Sequence, residues 1–402
     1  MRTTLINGRL ILPDEIAETG YVVIEDGKIA AIGKGEPAAP LSGEVIDARS
    51  LYISPGFIDL HTHGAGGADF MDGTVEAWLT VAETHARYGT TALLPTTLTC
   101  PDEELFHMFD VYTEAKKRNT QGAQFLGIHL EGPYFAYSQR GAQDPANLKQ
   151  PVPEHYRKIL DASGDIVRWS IAPELPGALE LGRLLKSCHI LPSVGHTDAV
   201  CEEVMEAFES GYSLMTHLYS GMQGVTRRNA YRYAGAVEAA FLIDRMDVEI
   251  IADGIHLPKS LLQLIYKFKG ADRIALVTDS MRAAGMPEGT YKLGSLKEGQ
   301  TVVVEDGVAK LPDRTAFAGS VATADRLVRT MVETAGIPLA EAVRMMTATP
   351  ARILGVDDRK GCLQAGKDAD IILFDDHIRV ARTLIGGKTV ATSDRTVQVQ
   401  LT

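Results

Sequence analysis

Four histidines and two carboxylates stand at or near the ends of apolar, strand-like segments: His61 and His63 in GFIDLHTH, Glu131 in FLGIHLEG, His196 in ILPSVGHT, His217 in SLMTHLY and Asp279 in RIALVTDS. His61 and His63 are spaced i, i+2, so on an extended chain both side chains face the same way. Imidazole together with carboxylate is the donor set that zinc and its neighbours take. Glu131 follows an apolar run, where a buried carboxylate without a cation costs several kcal/mol; a metal removes that cost. A divalent ion also lowers the pKa of bound water to about 7, and a nearby carboxylate can accept that proton and return it to a leaving group. Asp279 has that role here, as general base and then general acid. Each has a plainer reading: a hydrogen-bonded core residue for any one histidine, a helix cap for Asp279. The six together point to a metal hydrolase.

His256, after ADG, is placed to polarise a carbonyl oxygen opposite the metal. His129 shares the face of Glu131 one turn of the pleat deeper, as support for the site or as packing. His85 and His107 lie in helical segments, and His155, His189 and His377 at element edges; all five read as structural or solvent-exposed.

Residues so far apart in sequence meet only if the fold gathers strand ends. The segments Gly56 to His63, Thr91 to Thr97, Phe125 to Gly132, Val167 to Glu174, Ile190 to Thr197, Ser213 to Tyr219, Val248 to Gly254 and Arg273 to Ser280 alternate with stretches of helical periodicity such as VEAWLTVAETHARYG and KSLLQLIYKF. Strand–helix alternation predicts a parallel sheet. A (β/α)8 barrel of the TIM type delivers the C-terminal end of every strand to one face. The expected fold is therefore α/β: a barrel over 56–355, with a β-rich insertion near 290–318. A small β-sandwich is expected from both ends of the chain, 1–55 and 356–402, with tight turns at Asp26-Gly27 and Gly386-Gly387.

The 402 residues suit a barrel plus one module. A formal charge of −12 argues against nucleic-acid or acidic-membrane partners while leaving room for a small anionic substrate held by local arginines. The four cysteines, Cys100, Cys188, Cys201 and Cys362, form no CxxC pair and suit a reducing, cytoplasmic setting. No leader-like segment opens the chain, and no run reaches the roughly 20 apolar residues of a membrane span.

The motifs PGFIDLHTHGAGGADFMD, HLEGPYF, GHTDA, THLY, ADGIHL, VTDSMRAAGMPEGTYKLG and GKDADIILF together resemble the N-acetylglucosamine-6-phosphate deacetylases of the amidohydrolase superfamily, over nearly the whole chain. The resemblance implies a metal-bearing barrel with a terminal β-sandwich, a homodimer, and hydrolysis of the acetamide to acetate and an amino-sugar phosphate. It places the main metal ligands on Glu131, His196 and His217. The retained His61 and His63 add capacity for a second ion, so one or two are held, zinc first, with iron, manganese or cobalt suiting the same donors. The segment VRWSIAPE carries no lysine at its end, which disfavours sites bridged by a carboxylated lysine. Asp279 would protonate the departing amine, with His256 and the metal stabilising the oxyanion. Sugar contacts would fall on Ala142, Ser220, Gly221, Arg227 or Arg228, Asp253, His256, Phe317, Ala318 and Gly319.

Three stretches depart from the family pattern: Ser220-Gly221-Met222 for Asn-Ala-Met, Arg227-Arg228-Asn229-Ala230 for Arg-Glu-Pro-Gly, and Gly141-Ala142-Gln143-Asp144-Pro145 for GxHNP. The chemistry is kept and sugar recognition is rewritten, so N-acetylgalactosamine 6-phosphate or another N-acyl amino sugar is the alternative substrate. A sugar-phosphate-binding protein without turnover is the third reading, opposed by the retained Asp279. Arg227, Arg228 and Arg232 would clamp a phosphate, across a dimer interface or within one chain, or else lie on a solvated loop.

Overall fold

The computed structural model describes residues 2–37, 42–393 and, as backbone, 399–401; positions 1, 38–41, 394–398 and 402 of the expected terminal module lie outside the described residues. Strand and helix alternate through the middle of the chain. The strands are β1 (Phe57–Thr62), β2 (Thr90–Pro95), β3 (Ile128–Glu131), β4 (Ile166–Ile171), β5 (Leu191–Val194), β6 (Leu214–Met215), β7 (Asp247–Ile250) and β8 (Ile274–Leu276). The helices following them are α1 (Val75–Arg87), α2 (Asp102–Arg118), α3 (Pro153–Ala162), α4 (Ala178–Ser187), α5 (Cys201–Glu209), α6 (Ala236–Leu242), α7 (Lys259–Lys269) and α8 (Ala324–Arg329).

Strands β3 to β8 form one curled parallel sheet in sequence order, and β1 and β2 pair in a second, with Gln124–Phe125 at its edge. Parallel bridges Thr96–His129 and Thr62–Ser280 link the two. Every residue of β1 and β2 is buried, as strands covered on both faces must be. The expected third strand, Phe125 to Gly132, is interrupted at Gly127, whose φ is +141°, and the built Cβ of any larger residue would meet Val167 at 2.4 Å. The strand therefore steps from its β2 neighbour to its β4 neighbour there.

The helices follow their sequence signals. Thr74 caps α1 by accepting from the Ala77 amide at 3.2 Å. Helix α2 opens on Asp102, Glu103 and Glu104 and closes on Lys116, Lys117 and Arg118, matching the helix dipole, while Leu105, Met108, Phe109, Tyr112 and Ala115 are buried. Helix α8 gives way after Arg329 to a π-helical turn over Thr330–Thr334.

The β-rich insertion is a three-stranded antiparallel sheet, Gly289–Leu293, Gln300–Glu305 and Val308–Lys310, packed around Met281, Val302 and Ala318. Both ends of the chain join one nine-stranded sheet. In it Ile371–Phe374 pairs with Tyr52–Pro55 and Val399–Leu401 with Glu44–Asp47. Its own core includes Leu5, Val22, Ile46, Ile371 and Leu384. The expected turns are present, with positive φ at Asp26, Gly27, Gly386 and Gly387. Hydrogen bonding joins all nine strands into one sheet.

Candidate active site

The two parallel sheets together bring the six chemistry-bearing residues to the C-terminal ends of their strands. Glu131 is the centre. Its Oε1 lies 3.2 Å from His196 Nε2, 3.1 Å from His217 Nε2 and 3.4 Å from His61 Nε2. Its Oε2 lies 3.4 Å from His63 Nε2 and accepts from Gln143 Nε2 at 2.7 Å. Asp279 Oδ1 lies 3.5 Å from His61 Nε2 and 3.2 Å from His63 Nε2. Two groups of ligand atoms result, His61–His63–Asp279 and Glu131–His196–His217, each with its atoms within 4.8 Å of one another.

Three of these residues sit in the left-handed region, His196 at φ +49°, His217 at +29° and Asp279 at +44°. Such backbone is unfavourable for non-glycine residues and accumulates at functional sites where the surroundings hold it. Here the surroundings are hydrogen bonds: Asp279 N to His61 O at 2.9 Å, Ser320 N to Asp279 O at 2.7 Å, and Ala136 N to His196 O at 2.9 Å. His196 Nδ1 lies 2.8 Å from the Gln139 carbonyl, which assigns the proton to Nδ1 and leaves Nε2 a lone pair toward Glu131.

Burial alone would lower the pKa of His61, but Asp279 and Glu131 outweigh it and raise it to about 10. His63 is raised by the same two carboxylates against the same burial. Burial raises and the surrounding histidines lower Glu131 and Asp279, and the histidines prevail. Yet His61 and His63 point their Nε2 atoms at each other across 3.3 Å, where two protonated rings repel. A divalent cation resolves the conflict, since it lets both imidazoles be neutral donors while it balances the carboxylates. The donor set fits such an ion.

A cavity of about 320 Å³ opens over these residues, a size suited to a small molecule. Of the residues expected to touch a sugar, Ala142, Ser220, Gly221, His256, Phe317 and Gly319 line it. Asp253 stands behind His256, accepting from its Nδ1 at 2.8 Å, and the His256 ring packs on Phe317 at 4.6 Å. Ala318 is fully buried in the insertion's core and turns away from the cavity, because neighbours on an extended chain face opposite sides. Arg227 and Arg228 also lie outside the lining. They sit exposed on a two-stranded hairpin, Thr226–Arg228 with Tyr231–Tyr233, and no described lining residue is lysine or arginine.

His129 supports the site: its ring stands edge-on to His61 at 4.6 Å, and its nitrogens lie 3.2 Å from Thr96 Oγ1 and 2.7 Å from Ser170 Oγ. His85 is structural in a specific way, 3.0 Å from Thr62 Oγ1 and 3.2 Å from Ser280 Oγ at the β1–β8 seam. Sequence reasoning missed Asp59, Arg168 and Glu249. All three are fully buried beneath the ligand cluster; a charge inside an apolar strand, as in VRWSI and VEII, was the available signal.

Residues 52–398 match the Amidohydrolase family. The chain belongs to the amidohydrolase family. Among amidohydrolases it is similar to the N-acetylglucosamine-6-phosphate deacetylase of Bacillus subtilis (strain 168), 33% identical across 97% of each chain. It is also similar to the N-acetylgalactosamine-6-phosphate deacetylase of Escherichia coli O157:H7, 34% identical across 96% of this chain and 99% of the relative. Among solved structures, the N-acetylglucosamine-6-phosphate deacetylase of Pasteurella multocida superposes with a TM-score of 0.90 at 29% identity, covering 98% of this chain and 100% of the other. A variant of the Mycobacterium smegmatis enzyme in complex with N-acetyl-D-glucosamine-6-phosphate superposes at 0.88 and 30% identity, covering 98% and 99%. Among the described residues no helix is long and apolar enough to cross a membrane.

Proposed function

We infer that this chain is a metal-dependent deacetylase that hydrolyses the acetamide of N-acetylglucosamine 6-phosphate to glucosamine 6-phosphate and acetate. The observation that carries the reading is the convergence of Glu131, His196, His217, His63 and Asp279 at one cavity, with His61 buried against them, in a chain whose relatives bear that activity by name. The architecture we assign is a (β/α)8 barrel over 56–355 and a terminal β-sandwich from 1–55 and 356–402.

Glu131, His196 and His217 would hold one ion and His61 and His63, with Asp279, a second; zinc suits the donors first. When bound, the ion supplies Lewis acidity and an activated water. The chain's own residues do the rest. Asp279 accepts the water's proton and passes it to the amine as the C–N bond breaks. His256, its Nδ1 held by Asp253 at 2.8 Å, turns Nε2 toward the carbonyl oxygen and stabilises the oxyanion. Phe317, packed on His256, shields that contact from water.

No described lining residue is lysine or arginine, so phosphate recognition falls to the Arg227–Arg228 hairpin, reaching in from the partner of a homodimer or by closing over its own cavity. The setting we assign is the cytoplasm.

One observation favours a second reading. Ser220 and Gly221 line the sugar cavity in place of the family's usual pair, and a relative matched over nearly its full length is named for the galacto sugar. Acetate release by the metal-replete protein from N-acetylglucosamine 6-phosphate, its galacto epimer and unphosphorylated N-acetylglucosamine decides. Preference for the gluco phosphate supports the first reading and preference for the galacto phosphate the second; inactivity on all three overturns both.

A further inference from the structure

Beneath the ligand cluster lies a buried ion pair that the reaction as described does not use. Arg168 on β4 and Glu249 on β7 are both 0% exposed. The guanidinium takes both carboxylate oxygens, Nη1 on Oε1 and Nη2 on Oε2 at 2.8 Å. Its remaining donors go to the Leu60 carbonyl at 3.0 Å, Ser193 Oγ at 3.1 Å and Thr216 Oγ1 at 3.1 Å. Leu60 and Thr216 immediately precede His61 and His217. Glu249 Oε2 in turn lies 3.4 Å from the His217 amide nitrogen, which donates to it, and 3.6 Å from His61 Nδ1.

That last contact is the informative one. His61 Nδ1 is buried and has no hydrogen-bond partner among the described residues, and at 3.6 Å the Glu249 contact is too long to be one. If Nε2 of His61 ligates an ion, Nδ1 must carry the ring's proton, and the carboxylate at 3.6 Å is the acceptor toward which it settles. A metal-bound imidazole regularly gives its other N–H to a carboxylate, which fixes tautomer and orientation. Arg168 completes the arrangement, because by engaging both oxygens it keeps Glu249 below the cluster and out of the ligand set. A buried pair by itself adds little net stability over well-packed apolar residues, so stability alone leaves it unexplained.

We propose that Glu249, clamped by Arg168, is a positioning residue for His61 and sets the affinity of the His61–His63–Asp279 cluster for a divalent ion. This rests on the metal-hydrolase reading of the site. The test is a cobalt(II) titration of the full chain, followed by visible absorption and by metal analysis of the desalted protein, for wild type, His61→Ala and Arg168→Met/Glu249→Leu. The double substitution removes both charges and so leaves neither partner buried alone. It is expected to melt cooperatively near the wild-type temperature, to keep the ion that depends on Glu131, His196 and His217, and to bind the His61-dependent ion about 10- to 100-fold more weakly. In turnover, kcat falls while KM holds.

Wild-type affinity and an unchanged cobalt spectrum in the double variant overturn the proposal, and so does a His61→Ala protein that loses no ion. If the double variant fails to fold, Glu249→Gln carries the test. It keeps the length and an acceptor but loses the charge: an affinity loss of about tenfold supports the proposal and no loss overturns it. Acetate release is measured separately. A wild type that takes up cobalt through His61 yet releases no acetate overturns the deacetylase reading and leaves this one standing.

Discussion

At the scale of single residues, the site works because each titratable group is held in one state by its neighbours. Asp279 meets two imidazoles through one oxygen, and proton transfer by such a group is worth about 10²- to 10⁴-fold in rate. Asp279→Asn is expected to lose that much kcat with KM little changed, as measured by steady-state acetate release alongside metal content. His85 makes a different prediction. Burial pushes its pKa from 6.5 down to about 4, so the folded protein keeps it neutral. Above pH 6.5 neither folded nor unfolded chain protonates it. As the pH falls from 6.5 toward 4, the unfolded chain takes up a proton that the folded chain refuses, and stability declines by about 3 kcal/mol. Denaturant unfolding of wild type and His85→Gln across that window should show a shallower acid slope in the variant.

At the scale of elements, strand ends and the loops above them share the work. The 3₁₀ turn Tyr137–Gln139 starts beside His196, where Ala136 N donates to His196 O, and three side chains, Ser138, Gln139 and Gln223, all bond to the Asp198 carboxylate. This knot puts the Gln139 carbonyl on His196. Gly221 fits the remaining gap: its φ is +56°, and a built Cβ would lie 2.9 Å from His196 Nδ1 and 3.0 Å from Gln139 O. Where the family generally has alanine, this chain has room only for glycine. Gly221→Ala is therefore expected to displace the turn or the ring and lower kcat/KM by about 10- to 100-fold, with the melting temperature moving only a few degrees. Steady-state kinetics with parallel melting curves checks this. The exposed Arg227–Arg228 hairpin is the other element at issue. Arg227→Ala/Arg228→Ala should raise KM for the 6-phosphate and leave KM for the unphosphorylated sugar unchanged.

At the scale of the whole molecule, an ion held by Glu131, His196 and His217 at or just past the ends of β3, β5 and β6, or by His61, His63 and Asp279 at those of β1 and β8, would stabilise the fold it ties together. Binding only the native state at 100 times its Kd adds about 2.7 kcal/mol. For a chain of this length that is a melting shift of about 3 °C. Chelation should lower the melting temperature by that order and abolish acetate release, and zinc or cobalt should restore both. Calorimetry of the chelated and reloaded protein makes the comparison.

Much of this was written in the chain. The apolar strand runs and helical periodicities of β1 through α8, the acids and bases flanking α2, and the His, Glu and Asp residues near strand ends follow from local chemistry, because a buried imidazole or carboxylate marks itself by interrupting an apolar run. The family motifs supplied roles for Ala142 and Ser220 that no local pattern contains. Other features depended on tertiary structure. That Ala318 turns inward while its neighbours line the cavity follows from the insertion's packing. That Arg227 and Arg228 stand exposed on a hairpin follows from cross-strand pairing of Thr226–Arg228 with Tyr231–Tyr233. Arg168 and Glu249 carry charges legible in the sequence, but their pairing beneath His61 joins β4 to β7, and only the curl of the sheet brings two strands so separated within reach.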